Sequence, residues 1–168
     1  MNEIFPQGYA WIDNKYVELA DAKIPILDWG FLRSDATYDV VHVWKGRFFR
    51  LDNHIDRFFE SAQKLRMPCK LSRNELKKIL ANCVVKGKLE NAYVEMIQTR
   101  GISPKFVRDP RLATPRVMAF AVPFGWILKQ EDFEKGLNVL LTDIKRIPPS
   151  SVDPTIKNYH WMDLVTGM

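Results

Sequence analysis

The chain contains 168 residues, of which 46% are hydrophobic, 12% aromatic and 27% charged. This length and composition are typical of a single globular domain that buries a core, and they exclude a disordered tail, a collagen-like chain and a disulfide-stapled miniprotein. The net charge of +5 is spread without a block of like charges, so it does not indicate nucleic-acid binding. There is no apolar stretch of the roughly 18 residues that a membrane span needs, and no signal-peptide pattern. We therefore expect a cytoplasmic protein that binds neither nucleic acid nor membrane.

The first half of the chain predicts two β-hairpins and then a helix. Alternating and β-branched residues predict strands at 9–12, 15–18, 36–44 and 47–51. The pairs Asp13-Asn14 and Lys45-Gly46 suit the tight turns between them. Asp52 is then expected to cap a helix that Pro68 ends. The buried stripe of this helix follows the i, i+3, i+4 spacing at Ile55, Phe58, Phe59, Ala62 and Leu65.

A second helix follows, and then three strands. Ser72 and Glu75 have the spacing of a capping box, and Gly87 is the stop signal of this helix. Its apolar stripe consists of Leu76, Ile79, Leu80, Cys83 and Val84. Strands are predicted at 92–99, 116–122 and 137–142, with an arginine- and proline-containing loop at 101–115. These elements predict an α+β fold, in which two helices cover one face of a mostly antiparallel sheet.

The last residues suggest the beginning of a second domain. The segment 147–154 contains Pro148-Pro149 and Pro154 and is interpreted as a linker. Beyond it, 158–168 has a helical apolar pattern without a stop signal. We therefore expect a small domain at 1–146, the linker at 147–154, and at 155–168 the start of a larger domain that is truncated here.

Most conventional catalytic motifs are absent from the sequence. The three histidines are scattered, and Cys69 and Cys83 lack metal or redox spacing, so no metal site is predicted and the cysteines are interpreted as reduced core thiols. Arg57 lies on the polar side of the first helix, where it is either a solvated residue or an anion clamp. Lys157 precedes an aromatic run. It is either an ordinary surface lysine or, in an apolar pocket, an amine that can form a Schiff base.

Four segments of the chain resemble the class IV (fold type IV) pyridoxal-phosphate enzymes. They are 31–44 (FLRSDATYDVVHVW), 49–58 (FRLDNHIDRF), 95–101 (EMIQTRG) and 156–158 (IKN). This family contains branched-chain aminotransferases, D-amino-acid aminotransferases, aminodeoxychorismate lyases and (R)-selective amine transaminases. The segments 38–44 and 50–57 are most similar to the last of these.

The resemblance implies roles for individual residues and a truncated D-amino-acid aminotransferase-like fold. Lys157 matches the lysine that forms the Schiff base with pyridoxal 5'-phosphate and carries the proton, and Arg57 matches the arginine that holds the cofactor phosphate. The positions that match the family's substrate pocket are Tyr38, Val40, Tyr93, Glu95 and Trp161. Arg33 stands where the (R)-selective enzymes more often have histidine, and Arg108 or Arg111 could hold the carboxylate of an acceptor. The glutamate and backbone amides that complete the family's cofactor site match no residue here.

The predicted function is therefore that of a transaminase. It would transfer an amino group from an (R)-amine or amino acid to a 2-oxo acid such as pyruvate, within a homodimer. A branched-chain or D-amino-acid aminotransferase and an aminodeoxychorismate lyase are alternatives within the family. A non-catalytic module is the alternative outside it, if the 168-residue chain is complete.

Overall fold

The fold is built on one antiparallel sheet of six strands. A computed structural model describes residues 4–168. Along the sheet the strand order is β2-β1-β6-β5-β3-β4, and every neighbouring pair is antiparallel. The strands are β1 (Tyr9–Ile12), β2 (Lys15–Glu18), β3 (Ala36–Trp44), β4 (Arg47–Phe48), β5 (Ala92–Ile102) and β6 (Thr114–Pro123). The predicted α+β class is confirmed.

In the part of the chain that the structure describes, four α-helices accompany the sheet: α1 (Trp29–Arg33), α2 (Leu51–Lys64), α3 (Arg73–Lys86) and α4 (Met162–Thr166). The predicted capping box of α3 is present, with the Glu75 amide 3.2 Å from Ser72 Oγ and the Ser72 amide 2.7 Å from Glu75 Oε2. The predicted cap of α2 is wrong, because the helix begins at Leu51 and Arg50 precedes it in the left-handed conformation. Asp52 lies in the first turn of α2, where its charge favours the positive end of the helix dipole.

The core lies between the sheet and the long helices α2 and α3. From the sheet it includes Val41, Val43, Val94 and Met96, and from the helices Ile55, Phe58, Leu76 and Leu80. Because side chains alternate between the faces of a strand, the residues between these point to the opposite face. On β3 and β5 that face carries Tyr38, Val40, Tyr93 and Glu95, and the pairing register places Val40 opposite Glu95.

Several sequence predictions differ from the structure. Residues 137–142 form no strand, and Val139, Leu140 and Leu141 are exposed. A strand persists only when its backbone groups are paired, and no strand of the described part of the chain lies beside this segment. The second strand of the second hairpin shortens to Arg47–Phe48 because α2 begins so early. The helix predicted at 158–168 is restricted to Met162–Thr166.

Cys69 and Cys83 are free thiols, as predicted. Cys83 is buried in the core, and burial raises its thiol pKa to about 12. None of the helices in the described residues is both long and apolar enough to cross a membrane.

Gly101 is required where β5 and β6 change register. Its φ is +75°, and a Cβ built there would lie 1.8 Å from the carbonyl oxygen of Thr114. We expect Gly101→Ala to lower the free energy of unfolding by more than about 3 kcal/mol, since backbone strain and a backbone clash add. Gly46→Ala is the matched control, because Gly46 has φ +73° and no neighbour within 4 Å. It should cost only about 1 kcal/mol in urea unfolding, and equal losses in the two variants would contradict the role of the clash.

Candidate active site

The main chain of Lys157 is attached to the edge of β3. Its carbonyl oxygen accepts hydrogen bonds from Thr37 Oγ1 at 2.6 Å and from the Tyr38 amide at 3.2 Å. Its own amide lies 3.4 Å from Ser61 Oγ on α2. This edge is available because β4 pairs only with the last two residues of β3. The segment after the proline-rich stretch thereby reaches the open face of the sheet.

The amine of Lys157 lies over an aromatic ring. Its Nζ is 4.6 Å from the centroid of the Tyr38 ring, a favourable cation–π distance. Within residues 4–168, Lys157 forms no ion pair. The amine is therefore held near an aromatic surface without a carboxylate fixed to it.

Aromatic side chains and one buried acid surround Tyr38. The ring of Tyr159 stacks on Tyr38 at 4.4 Å, and the ring of Trp161 lies 6.5 Å away. Glu95 accepts a hydrogen bond from the Tyr159 hydroxyl and another, of 2.8 Å, from the Tyr93 hydroxyl. The structure thus brings together four of the predicted pocket residues, Tyr38, Tyr93, Glu95 and Trp161, on the sheet face where the Lys157 amine lies. Val40 lies beside them, across the strand from Glu95.

Glu95 and the tyrosines around it, Tyr38, Tyr93 and Tyr159, form a cluster (the Glu95 cluster) whose protonation is governed by burial. Burial raises the pKa of Glu95, while the hydrogen bonds from Tyr159 and Tyr93 and the charge of Lys157 act in the opposite direction. Burial and the neighbouring Glu95 also raise the pKa of Tyr93 and of Tyr159, so both phenols stay protonated and donate. Burial is the main cause of the raised pKa of Tyr38 as well.

Glu95 is expected to make stability depend on pH. Because its pKa in the folded chain is raised above the usual 4.5, the folded state keeps a proton that the unfolded state releases. The stabilisation that Glu95 contributes is fully present below the pKa of Glu95 in the unfolded chain. It is lost as the pH rises through the pKa of Glu95 in the folded chain. We expect Glu95→Gln to remove a negative slope of up to about 1.4 kcal/mol per pH unit above about pH 4.5. Urea unfolding from about pH 4 to about pH 8 measures this slope, and identical slopes in parent and variant would contradict it.

Arg57 is held by a buried carboxylate. Its Nε lies 2.6 Å from Asp39 Oδ2 and its Nη2 lies 2.8 Å from Asp39 Oδ1. His54 Nδ1 is a further 2.8 Å neighbour of Oδ1. The Asp39 side chain is fully buried, whereas that of Arg57 is 50% exposed. The hydrogen bonds to Asp39 raise the pKa of Arg57. Nη1 has no partner in the described residues and remains free to bind an anion.

The other predicted arginines lie elsewhere. Arg33 ends α1, stacks on the Trp29 ring at 4.3 Å and lines a cavity of about 440 Å³ together with Asn158 and His160. Arg108 and Arg111 lie on the loop between β5 and β6 and line a groove that contains no residue of the cluster around Lys157. The structure therefore does not bring Arg108 or Arg111 to Lys157 within this chain.

Arg111 is also engaged locally. Its Nη2 lies 2.7 Å from Asp109 Oδ2, and hydrogen bonds from Arg111 lower the pKa of Asp109 to about 2. In the described residues, no group of three or more histidine, cysteine or acidic side chains is placed to hold a metal ion.

Sequence reasoning missed Thr37, Asp39, Ser61 and Tyr159. Asp39 could have been found, because strand alternation directs it toward α2, where a buried carboxylate needs a cationic partner. Tyr159 follows Lys157 closely in an aromatic run, but its partner Glu95 is 64 positions away. No local pattern indicates that contact.

The fold agrees with what comparison with known proteins shows. Residues 36–167 match the family described as amino-transferase class IV, and the chain belongs to this family. The matched range contains Arg57, Glu95 and Lys157. The resemblance to class IV enzymes is thus confirmed for the family, whereas the (R)-selective subgroup stays a prediction.

Two relatives illustrate the match. The chain is 24% identical over 155 residues to a Methanocaldococcus jannaschii protein with the provisional name branched-chain-amino-acid aminotransferase, covering 92% of this chain and 52% of that protein. It is 34% identical over 91 residues to D-alanine aminotransferase of Listeria monocytogenes, covering 54% of this chain and 32% of that enzyme. The chain thus spans about half or less of the length of these relatives.

Solved structures have the same fold. The branched-chain amino acid aminotransferase of Escherichia coli superposes with a TM-score of 0.81 at 23% identity, covering 89% of this chain and 51% of that enzyme. A second branched-chain enzyme, from T.th. and solved with pyridoxamine 5'-phosphate, gives a TM-score of 0.80 at 22% identity. This match covers 90% of this chain and 51% of that enzyme. At these identities the likeness concerns the fold, and again about half of each enzyme.

Proposed function

We propose that this chain carries the reactive lysine and the phosphate-binding arginine of a pyridoxal-phosphate-dependent transaminase. One observation carries the proposal: the main chain of Lys157 is fixed to β3, and its amine lies over Tyr38 on the sheet face that carries the Glu95 cluster. Family membership supports the reaction class. The domain boundaries predicted from the sequence, 1–146, 147–154 and 155–168, are part of this proposal.

The residues present fit pyridoxal 5'-phosphate. An aldehyde requires a primary amine that is not locked in an ion pair, and Lys157 supplies one. A phosphate requires an oriented guanidinium with free N–H groups, and Arg57 supplies it through Nη1. When bound, the cofactor supplies an aldehyde that condenses with amines and a ring that takes up an electron pair.

Each residue would then have a separate task. Lys157 Nζ would hold the cofactor through its aldehyde and would serve as the base and acid that carries the proton of the substrate carbon. Arg57 fixes the phosphate end, and the buried Asp39 orients Arg57. Tyr38, Tyr159 and Trp161 limit the access of water to the amine, which strengthens electrostatic interactions there.

The cluster favours a donor without a carboxylate. Glu95 offers an acid group rather than a cation on this face, and its neighbours are aromatic or apolar. Tyr159 also lines a cavity of about 390 Å³ with Ile97 and Phe120, which suits an apolar substituent. We therefore place an (R)-amine first and an amino acid second, with a 2-oxo acid such as pyruvate as the acceptor. The branched-chain and D-alanine names of the relatives support the amino-acid alternative.

A half-reaction assay tests the donor. The cofactor-loaded chain is mixed with (R)- or (S)-1-phenylethylamine, D-alanine or L-leucine, and conversion of the cofactor to its amine form is followed by absorbance. We expect the (R)-amine to react fastest and pyruvate to restore the starting spectrum. Faster reaction with D-alanine or L-leucine would assign the amino-acid alternative. Turnover of aminodeoxychorismate without any 2-oxo acid would identify a lyase, and no reaction with any of these would favour a non-catalytic module.

We further propose a homodimer in the cytoplasm. Ile24, Ile26 and Phe31 lie close together in the chain and are exposed, which suits an interface between copies. Light scattering should give twice the chain mass, and Ile26→Asp should reduce it to the monomer. The two free cysteines are consistent with a reducing compartment.

A further inference from the structure

We infer that Thr37 and Ser61 are positioning residues, which hold the main chain of Lys157 from two sides. This inference rests on the proposed role of Lys157 for its functional meaning. Thr37 on β3 is 0% exposed and Ser61 on α2 is 1% exposed. Both hydroxyls are therefore removed from water, and in the described residues each has Lys157 as its partner.

The bonding of these hydroxyls is not explained by core packing. A buried hydroxyl costs free energy unless it finds a partner, and a valine or an alanine would fill the same space without that cost. Thr37 donates to the carbonyl oxygen of Lys157, whereas Ser61 accepts from its amide. Because both backbone groups of one residue are bound, its Cα is fixed and only the side-chain torsions of Lys157 stay free.

The same two elements also hold Arg57. Thr37 and Asp39 are two residues apart on β3, so their side chains leave the strand on one face. Arg57 and Ser61 are four residues apart on α2, so they are neighbours on one side of the helix. Asp39 binds Arg57, and Thr37 with Ser61 binds Lys157.

The spacing of the two cationic groups follows from this arrangement. Four helical residues, about 6 Å, separate Ser61 from Arg57, and two strand residues, about 6.6 Å, separate Thr37 from Asp39. The distance between the amine that binds an aldehyde and the guanidinium that binds a phosphate is thus set by β3 and α2. The rigid pair of β3 and α2 would therefore fix the positions of both ends of one bound ligand.

Hydrogen exchange on the full 168-residue chain tests the positioning directly. We expect Thr37→Val to speed exchange of the Tyr38 amide, which donates to the same carbonyl, and Ser61→Ala to speed exchange of the Lys157 amide. Each change should be about tenfold, as for the loss of one buried hydrogen bond. Thr37→Ser keeps the hydroxyl and should behave like the parent. Thr99→Val is the matched control, because Thr99 is a buried strand threonine whose hydroxyl donates to Asp28 and accepts from the Gly101 amide instead.

A second readout connects positioning to chemistry. Pyridoxal 5'-phosphate is added and reduced with borohydride, and the fraction of adduct on Lys157 is measured by peptide mass spectrometry. We expect the fraction of adduct on Lys157 to be about fivefold lower in Thr37→Val and in Ser61→Ala, because each variant loses one hydrogen bond of ordinary strength. The fraction should be unchanged in Thr99→Val.

The outcomes separate the inference from the proposed function. Unchanged exchange at both amides would overturn the positioning role, whatever the cofactor does. An adduct on another lysine in the parent chain would overturn the proposed function and leave the exchange result to decide on positioning. If Thr37→Val does not fold, Ser61→Ala gives the same decision from the α2 side, because it removes only one oxygen atom.

Discussion

Replacing Lys157 with alanine is expected to abolish the borohydride-stable adduct with pyridoxal 5'-phosphate on the peptide that contains residue 157. The amine of Lys157 is the one that the structure holds over Tyr38, beside the Glu95 cluster. In the proposed role of Lys157, its loss removes both the bond to the cofactor and the proton carrier. We expect transamination to fall by about 10³-fold or more, measured as cofactor conversion by a saturating amine donor.

Alanine variants of two other lysines are the controls for this experiment. Lys64 is the stricter control, because its amine lies near the segment that contains Lys157. Lys64 is on α2, and its Nζ donates a 2.7 Å hydrogen bond to Oγ1 of Thr155, a residue close in sequence to Lys157. Lys78 is an exposed lysine on α3 and serves as the neutral control. Lys64→Ala and Lys78→Ala should both retain the adduct on Lys157. An adduct that persists in Lys157→Ala and disappears in Lys64→Ala would transfer the reactive role to Lys64.

Local signals in the sequence were sufficient for most of the strands and for the two long helices. The Ser72 capping box and the apolar stripe of α3 are decided within a few residues, and the structure has both. The alternation of β3 likewise separates Val41 and Val43, in the core, from Tyr38 on the open face. In these elements propensity, capping and burial favour the same conformation.

Long-range contacts explain what local signals could not give. Residues 137–142 have the composition of a strand but no partner in the described chain, so composition alone misled the prediction. The docking of Lys157 on Thr37 joins residues 120 positions apart. It depends on a strand edge that is open only because β4 is short. The family resemblance led to the prediction for Lys157, whereas the hydroxyls that contact its main chain become visible only in three dimensions.

Replacing Arg57 with methionine is expected to lower both stability and cofactor affinity. Asp39 is fully buried, and without Arg57 its carboxylate keeps His54 as its ion-pair partner among residues 4–168. A buried charge deprived of its partner destabilises a protein by about 3 kcal/mol. Asp39→Asn in the same chain removes that charge, so the double variant should recover at least about 1 kcal/mol relative to Arg57→Met alone. Urea unfolding of the two single variants and the double variant gives this coupling.

Cofactor affinity should follow a different pattern across these variants. Stability recovers in the double variant because the unpaired carboxylate is gone, but the guanidinium proposed to bind the phosphate is still missing. Affinity for pyridoxal 5'-phosphate should therefore stay low in every chain that lacks Arg57. The exposed pair of Arg73 and Asp56, 2.7 Å apart with side chains 55% and 54% exposed, is the matched control. Arg73→Met should cost less than about 1 kcal/mol and leave cofactor affinity unchanged. Recovery of affinity together with stability would show that Arg57 acts on the fold and not on the phosphate.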